Sequence, residues 1–322
     1  MNILITGGAG YIGSTVANLF LDKKYKVSII DNLSTGVKKN IPKRSIFYKC
    51  DISDKKKVKK ILKKKFDVVL HFAAFTNNDE SIKKPNKYII NNFKKAEIFL
   101  ELCIRSNVKN FIYSSTAAIY GNNKKKVKEN EKPRPISPYA ESKLNLEKFF
   151  FKRKKKINFI ILRYFNVGGA EKKLRCGFNT NNNSLISNLC KSFVDEKKFF
   201  INGKSYNTYD GTAIRDYIHV IDLAKIHFKL SKKILKKNYS DIFNCGYGKG
   251  ISVKKMYNIF SKVSKKKPKI VYKGKRKKDI SISISDISKL SHEIDINLKK
   301  INWLDLAKTS IDWYRNKNRI KI

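Results

Sequence analysis

A tyrosine and a lysine stand four residues apart in the segment "SPYAESKLNLEKFF", at Tyr139 and Lys143. In a helix, residues i and i+4 share one face, so both side chains would reach the same pocket. A phenol with an ordinary pKa of about 10 is a poor base at neutral pH, and a neighbouring cation favours its phenolate. The pair could therefore take the proton from a hydroxyl group of a bound molecule.

A cluster of hydroxyl side chains precedes this helix. The predicted strand "NFIYSST" ends in Ser114, Ser115 and Thr116, and a hydroxyl there could share the proton. The chain has 72 Lys+Arg against 26 Asp+Glu, so a YxxxK spacing also arises by chance. Because Tyr139 and Lys143 follow the "SST" strand end, we interpret them as a functional pair rather than a chance spacing. Lys148 has no such context and is assigned to solvent.

A glycine turn lies at the start of the chain. "TGGAGYIGS" places Gly7, Gly10 and Gly13 between a predicted strand and a predicted helix. Glycines in this context allow a tight turn, close approach of the backbone to a pyrophosphate and close helix–sheet packing. The helix N-terminus then faces the anion. The turn predicts a dinucleotide-binding site.

The ends of the next strands would complete that site. Asp31 ends "KVSIID", where a carboxylate accepts from both ribose hydroxyls and repels a 2′-phosphate, so NAD is favoured over NADP. Asp51 and Ile52, after "IFYKC", can meet the adenine edge. The small residues of "HFAA" let the backbone pass close to the cofactor. His71 in that segment is interpreted as a core or strand-end histidine rather than a catalytic one.

Apolar strands alternate with helices over the first half of the chain, which is typical of an α/β fold. Right-handed crossovers make this a doubly wound parallel (Rossmann) sheet. We predict an NAD-binding domain over residues 1–165, with 216–240 returning to it, and a smaller α+β C-terminal substrate domain over 166–322. One long amphipathic helix is predicted over 86–106.

Composition excludes several function classes. The formal net charge is +46, but the excess is mostly lysine on predicted solvated faces, without a nucleic-acid motif, so no specific nucleic acid is expected. No apolar run reaches the length of a membrane span. Five scattered cysteines without a CxxC pair argue against disulfides and zinc, and we expect no catalytic metal. With no export signal at the N-terminus, a cytoplasmic location is expected.

Several longer motifs carry a family resemblance over nearly the whole chain. They are "TGGAGYIGS", "DNLSTG", "SSTAAIYG", "SPYAESK", "LRYFNVGGA", "DGTAIRDYIHVIDLA" and "FNCGYGKGISV". In this order they resemble the extended short-chain dehydrogenase/reductases, most closely the members that epimerise UDP-hexoses at C4. The resemblance implies a tightly held NAD, a UDP-sugar substrate and a homodimer that pairs the 86–106 helix and the Tyr139 helix.

The same resemblance implies roles for single residues. Tyr139 would take the C4 hydroxyl proton, Lys143 would lower the tyrosine pKa and hold a ribose, and Thr116 would assist the proton step. The predicted cofactor contacts are Gly7, Gly10, Tyr11, Ile12, Gly13, Asp31, Asn32, Asp51, Ile52, Phe72, Ala73, Ala74, Asn91, Asn92, Ser114, Tyr139 and Lys143. The predicted substrate contacts are Thr116, Tyr139, Asn166, Ser184, Arg215, Arg276, Asp279 and Ser283.

The chain also departs from the family pattern. Thr76 replaces a frequent lysine, Lys94 and Lys95 interrupt the asparagine helix, and the last basic loop has Ser281 in place of proline. Ser283 stands where a bulky residue often lines the sugar pocket. A small residue there leaves room for a 2-acetamido group, so UDP-GlcNAc and UDP-GalNAc are also expected as substrates.

Alternative functions remain at this level. A 4,6-dehydratase needs an acidic pair after the "ST" strand end, where this chain has Ala117 and Ala118. A UDP-glucuronate decarboxylase needs no extra acid, and CO₂ release from UDP-glucuronate would identify it. An NAD-binding regulator would tolerate loss of Tyr139.

Overall fold

The computed structural model describes residues 1–122, 126–180, 183–236, 238–275, 280–296, 298 and 301–319. The chain divides into two compact units. Unit 1 contains Met1–Gly121, Lys132–Tyr164 and Ala224–Phe243, and unit 2 contains Asn122–Glu131, Phe165–Leu223 and Asn244–Ile322. The predicted division at 165/166 lies next to the Tyr164–Phe165 break. The last segment of unit 1, Ala224–Phe243, overlaps the predicted returning segment 216–240.

The strands are, in chain order, β1 (Asn2–Thr6), β2 (Lys26–Asp31), β3 (Ile46–Lys49), β4 (Val68–His71), β5 (Asn110–Thr116), β6 (Lys126–Val127), β7 (Asn158–Tyr164), β8 (Asn166–Gly168), β9 (Phe199–Asn202), β10 (Ile214–His219), β11 (Asp241–Cys245), β12 (Gly250–Ser252), β13 (Ile270–Lys273) and β14 (Ile282–Ser285). The helices are α1 (Tyr11–Asp22), α2 (Lys55–Leu62), α3 (Asn78–Lys83), α4 (Pro85–Ile89), α5 (Lys95–Arg105), α6 (Pro138–Lys152), α7 (Leu185–Val194), α8 (Val220–Lys236), α9 (Val253–Ser264), α10 (Ser288–Glu293) and α11 (Trp303–Arg319).

Seven strands form the main sheet in the order β11-β7-β5-β4-β1-β2-β3. The six strands from β7 to β3 pair in parallel. The order reverses direction between β1 and β4, which is the topological switch point of a doubly wound sheet. The carboxyl ends of β1, β4 and β5 therefore meet along one edge, where the glycine turn, the "HFAA" segment and Thr116 are found. The predicted fold class is confirmed.

The predicted helix over 86–106 is a continuous helical run with an irregular centre. Ile90–Lys94 between α4 and α5 is a π-helical stretch. Such stretches are rare and concentrate at functional sites. The buried residues of the run include Tyr88, Asn92 and Ala96, whereas Ile90 is exposed.

Unit 2 contains two small sheets. β10 lies at the centre of the larger one, antiparallel to β12 and parallel to β14 and β8, and β6 pairs with β14. β9 and β13 form a parallel pair. Buried apolar side chains of α7, α9 and α11 supply its core, among them Leu189, Met256, Phe260 and Ile311.

The interior of unit 1 is apolar and rich in aromatic side chains. One apolar cluster includes Phe99, Phe111, Phe150 and Phe159. All five cysteines of the chain are buried free thiols. Across the described ranges, none of the helices combines the length and apolar character needed to cross a membrane.

Candidate active site

The glycine turn after β1 is tight enough to exclude side chains. Gly7 has a φ of +72°, and a Cβ atom there would lie 2.7 Å from the backbone nitrogen of Ala73. At Gly13 a Cβ would lie 2.4 Å from the carbonyl oxygen of Gly7. Gly10 caps α1 without a side-chain hydrogen bond to the first turn. The backbone is therefore the surface that this turn presents, and the first turn of α1 is suited to a phosphate group.

The carboxylate of Asp31 is fixed at the end of β2. The backbone N–H of Ala9 donates to Oδ2 at 3.0 Å, and that of Leu33 donates to Oδ1 at 2.8 Å. Burial raises the pKa of this carboxyl, and the two backbone hydrogen bonds oppose that rise. The glycine turn and the β2 end are thus tied together through Ala9.

A cleft with about 560 Å³ of open space runs along these strand ends. Its lining includes ten of the predicted cofactor contacts: Gly7, Gly10, Asp31, Asn32, Asp51, Ile52, Phe72, Ala73, Ala74 and Asn91. The other seven predicted cofactor contacts are not part of this lining: Tyr11, Ile12, Gly13, Asn92, Ser114, Tyr139 and Lys143. The lining also contains residues that the sequence analysis did not assign: Ile30, Ser34, Thr35, Gly36, Cys50 and Phe75. Three of these belong to the motif "DNLSTG", which was the signal available for them.

The residues that line this cleft fit a dinucleotide by their chemistry. The backbone cradle at Gly7 and Gly10, which a Cβ would fill or crowd, suits a pyrophosphate. The Asp31 carboxylate suits a ribose diol. No cluster of metal ligands is found among the described side chains, and the expectation that the chain uses no catalytic metal stays a prediction.

Asp51 is held by a partner that the sequence analysis treated only as a departure. Lys95 donates to Oδ2 at 2.8 Å, and Asn32 donates to the same oxygen at 3.0 Å. Burial opposes ionisation of Asp51, but hydrogen bonds from Lys95, Ser53 and Asn32 outweigh it and lower the pKa to about 2. The two lysines thus have different roles, since Lys94 is exposed and Lys95 binds Asp51.

Asn92 holds the cleft wall rather than lining it. Its amide oxygen accepts from the backbone N–H of Phe75 at 2.8 Å, and its amide nitrogen donates to the carbonyl of Phe75 at 2.9 Å. The same nitrogen lies 3.3 Å from Oγ of Ser142 in α6. The π-helical stretch thereby turns Asn91 towards the cleft and uses Asn92 to fix the segment after β4.

Helix α6 carries the predicted proton-transfer pair. Ser137 caps it by accepting from Ala140, and Pro138 occupies its first turn. Tyr139 is hydrogen-bonded to Thr116 at the end of β5. Lys143 is only 3% exposed, and its ammonium donates to the carbonyl oxygen of Ser114 at 2.7 Å. The structure therefore brings all three predicted catalytic residues to one strand end.

The electrostatics of this group differ from the prediction in one respect. Burial raises the pKa of Tyr139, and the hydrogen bond with Thr116 opposes that rise. The sequence analysis assigned the lowering to Lys143, but its ammonium is bound to the Ser114 carbonyl. Burial lowers the pKa of Lys143 to about 7, against the opposing effect of Glu147.

His71 is a core residue, as interpreted from the sequence. It lies between the rings of Phe99 and Tyr113, with ring centroids 5.7 and 5.9 Å away, and its Nδ1 lies 2.7 Å from Oγ1 of Thr6. Burial, together with the charge of Lys143, lowers its pKa to about 3. The imidazole is therefore neutral at physiological pH and does not compete with Lys143 as a cation.

The predicted substrate residues that are described belong to unit 2, apart from Thr116 and Tyr139. Arg215 in β10 and Ser283 in β14 are direct neighbours in the parallel pairing. The guanidinium of Arg215 donates to the carbonyl of Ile214 at 2.9 Å. Asn166 pairs with Tyr217 between β8 and β10. Three strands thus converge on these side chains.

The other predicted substrate residues are less informative. Ser184 is the N-cap of α7, where its hydroxyl accepts from the backbone N–H of Ser187 at 3.3 Å. Its local role is to begin that helix. Arg276 and Asp279 lie outside the described residues.

Comparison with known proteins adds the family to this geometry. The model of the NAD dependent epimerase/dehydratase family matches residues 3–246. The chain belongs to this family. Its predicted membership, its epimerase class and its NAD cofactor are thereby confirmed, whereas the roles of single site residues and the domain limits stay predictions.

Three proteins that are similar to this chain show what kind of family member it resembles. The UDP-glucose 4-epimerase of Lactobacillus helveticus is 36% identical over 322 residues, which is 98% of both chains. The crystal structure of UDP-glucose-4-epimerase from Stenotrophomonas maltophila with bound NAD and formylated UDP-arabinopyranose has a TM-score of 0.94 at 28% identity, over 99% of both chains. The UDP-Glc/GlcNAc 4-epimerase from Campylobacter jejuni has a TM-score of 0.84 at 36% identity, over 98% of this chain and 99% of that one.

Proposed function

We propose that this epimerase interconverts UDP-glucose and UDP-galactose at C4. The observation that carries the proposal is the group formed by Thr116, Tyr139 and Lys143 at the end of β5, in the same unit as the dinucleotide cleft. The substrates named for the relatives from L. helveticus and C. jejuni support a UDP-hexose.

The residues of unit 1 would bind NAD and transfer the C4 hydroxyl proton. Asp31 binds the adenosine ribose of NAD, and the turn from Gly7 to Gly13 accepts the pyrophosphate. When bound, NAD would supply the reversible hydride acceptor that inversion at C4 through a 4-keto sugar requires. Tyr139 takes the C4 hydroxyl proton and returns it, and Thr116 holds the phenol oxygen in place.

Unit 2 would supply the sugar-nucleotide contacts. Arg215 offers a guanidinium for the diphosphate, because its planar donors match phosphate oxygens. Asn166 offers an amide for a sugar hydroxyl. Ser184, Arg276 and Asp279 complete the set implied by the family resemblance, the latter for the uridine ribose.

Replacing Tyr139 with Phe tests the proposal. We expect wild-type protein to epimerise UDP-glucose and Tyr139→Phe to lose about 10²- to 10⁴-fold in turnover, the usual contribution of general acid–base catalysis. The variant should bind NAD as the wild type does. An active Tyr139→Phe variant would contradict the assigned mechanism, and an inactive, NAD-loaded wild type would contradict the function.

We propose UDP-GlcNAc and UDP-GalNAc as further substrates. Ser283 is small and partly exposed beside Arg215, and the C. jejuni relative is named for both glucose and N-acetylglucosamine substrates. We expect Ser283→Tyr to lose UDP-GlcNAc turnover while it keeps UDP-glucose turnover, and Ser283→Ala to keep both. Absence of UDP-GlcNAc turnover by wild type, at concentrations where UDP-glucose reacts, would refute this substrate range.

We also propose that the protein is a cytoplasmic homodimer. Ile90 is 46% exposed on the α4–α5 run that we expect to pair between subunits. In sedimentation experiments, Ile90→Glu should weaken a dimer that Ile46→Glu, an exposed isoleucine on β3, leaves intact. A monomeric wild type would refute the dimer. The five free cysteines support a reducing compartment, which cell fractionation would test.

A further inference from the structure

A buried carboxylate continues the catalytic face of α6. Tyr139, Lys143 and Glu147 follow at intervals of four residues, so they share one face of the helix. Glu147 is 2% exposed. The proposed reaction as described above does not use it.

Glu147 is bound on both sides by other strands of the main sheet. Arg163 in β7 approaches with two donors, Nε at 3.1 Å from Oε1 and Nη2 at 2.7 Å from Oε2. The hydroxyl of Ser115 in β5 donates to Oε1. The remaining guanidinium nitrogen, Nη1, donates to the hydroxyl of Tyr120 at 2.8 Å. The carboxylate is thus held in a fixed position by donors from two neighbouring strands.

Three consecutive residues of β5 hold three residues of α6. The Ser114 carbonyl accepts from Lys143, the Ser115 hydroxyl donates to Glu147, and the Thr116 hydroxyl bonds Tyr139. One strand end therefore fixes the whole helix face, including the carboxylate.

The charges in this region require a balance. Lys143 and Arg163 are both buried cations, and an uncompensated buried charge is costly. The groups that face Lys143 are Tyr139 and Glu147 of α6, Tyr113 and Ser114 of β5, and His71 of β4. His71 and Tyr113 are neutral at physiological pH, and Tyr139 is charged only as the phenolate, so Glu147 is the carboxylate of this described set.

Resting on the proposed function, we propose that Glu147 is a positioning residue: held by Arg163 and Ser115, its carboxylate is the buried counter-charge that keeps the Lys143 ammonium protonated beside Tyr139. A buried ion pair by itself contributes little net stability. Glu147 lies one helical turn beyond Lys143, however. For this reason we assign the Glu147–Arg163 pair a role in setting the charge of Lys143.

The pH dependence of turnover tests the inference. We expect the alkaline limb of the pH profile to report loss of the Lys143 proton. Glu147 lies one turn further along the same helix face, and a neighbouring opposite charge favours the protonated ammonium. We expect Glu147→Gln to move this limb down by about one pH unit or more. Arg163→Met removes the cation that competes with Lys143 for the Glu147 carboxylate. We expect this variant to move the alkaline limb to higher pH. Glu141→Gln, an exposed carboxylate on the same helix, should leave it unchanged.

If Glu147 had a merely structural role, Glu147→Gln and Arg163→Met would both lower activity without moving the alkaline limb in opposite directions. That result would overturn the inference. Glu147→Asp, which keeps the charge, should restore the wild-type limb if it folds and binds NAD.

A second readout needs no turnover. A lysine whose folded-state pKa is depressed makes stability rise with pH between its folded and unfolded pKa values. The difference in unfolding free energy between wild type and Lys143→Met should therefore begin to rise near pH 7. In the Glu147→Gln background it should begin to rise about one unit lower, and an unchanged onset would refute the inference. This result stands whether or not the protein epimerises UDP-glucose, so the two proposals fail separately.

Discussion

The Lys143 ammonium donates to the carbonyl oxygen of Ser114 at 2.7 Å, two residues before Thr116 in the same strand. Thr116 in turn holds Tyr139, which lies one helical turn before Lys143. The lysine and the tyrosine are thus aligned by a common strand end and not by direct contact with each other. This arrangement gives each of the two residues its own fixed position at the carboxyl end of β5.

Loss of Lys143 should be far more harmful than loss of another lysine on the same helix. We expect Lys143→Met to reduce turnover at least about 10²-fold, because both predicted roles of Lys143, as the cation near the Tyr139 phenolate and as a ribose contact, are lost. Lys148→Met, at an exposed position of α6, serves as the matched control and should keep wild-type turnover. Steady-state kinetics on both variants check this, and equal losses would show that the position of Lys143 is not special.

Adding one methyl group at Gly7 should damage the cofactor cleft. An alanine there would have to adopt a φ of +72°, with its Cβ 2.7 Å from the Ala73 nitrogen. We expect Gly7→Ala to lose about 1–2 kcal/mol or more of stability from the left-handed backbone alone, and to bind NAD poorly. At Gly274 a Cβ would meet no atom within 4 Å, so Gly274→Ala should be neutral. Thermal unfolding with and without NAD measures both effects; a well-tolerated Gly7→Ala would argue against the tight turn.

Asp31 should decide the choice between NAD and NADP. We expect Asp31→Ala to weaken NAD binding and to reduce the preference for NAD over NADP at least about tenfold, because the repulsion of a 2′-phosphate is removed. Asp54→Ala also removes a carboxylate that accepts a backbone hydrogen bond, at the N-cap of α2. Since Asp54 does not line the cleft, its variant should keep the preference. Titration of both dinucleotides checks this, and an unchanged ratio in Asp31→Ala would refute the assignment.

His71 should make the folded state sensitive to acid. Its folded-state pKa is about 3, against 6.5 for an exposed histidine. As pH falls below about 6.5, the unfolded chain binds a proton that the folded chain does not, so stability decreases down to about pH 3. We expect wild type to lose on the order of 2–4 kcal/mol more than His71→Gln between pH 7 and pH 4. Urea unfolding across this range measures the difference, and parallel curves would show that His71 takes up its proton in the folded state.

Much of the site could be predicted because its signals are local. A glycine turn between a strand and a helix, an aspartate at the next strand end and a tyrosine–lysine pair at i and i+4 each define geometry over a few residues. The parallel sheet then brings the ends of β1, β2, β4 and β5 to one edge, as the alternation of elements implies. The chemistry at Gly7, Asp31, Tyr139 and Lys143 was therefore readable from the sequence.

Other parts depended on contacts between distant residues. In a lysine-rich helix, periodicity does not say which lysine faces inward, and the π-helical stretch at Ile90–Lys94 shifts the phase further. Only the tertiary structure pairs Lys95 with Asp51, 44 residues away, and turns Asn92 towards Phe75.

The same holds for the electrostatics around the catalytic lysine. Glu147 is unremarkable in the sequence, since its partners Ser115 and Arg163 lie 32 and 16 residues away. Burial, which no local pattern reports, sets the pKa of Lys143 and of His71. The sequence by itself indicated which groups are candidates for the chemistry, and the packing of β4, β5 and β7 against α6 decided how those groups are buried and held.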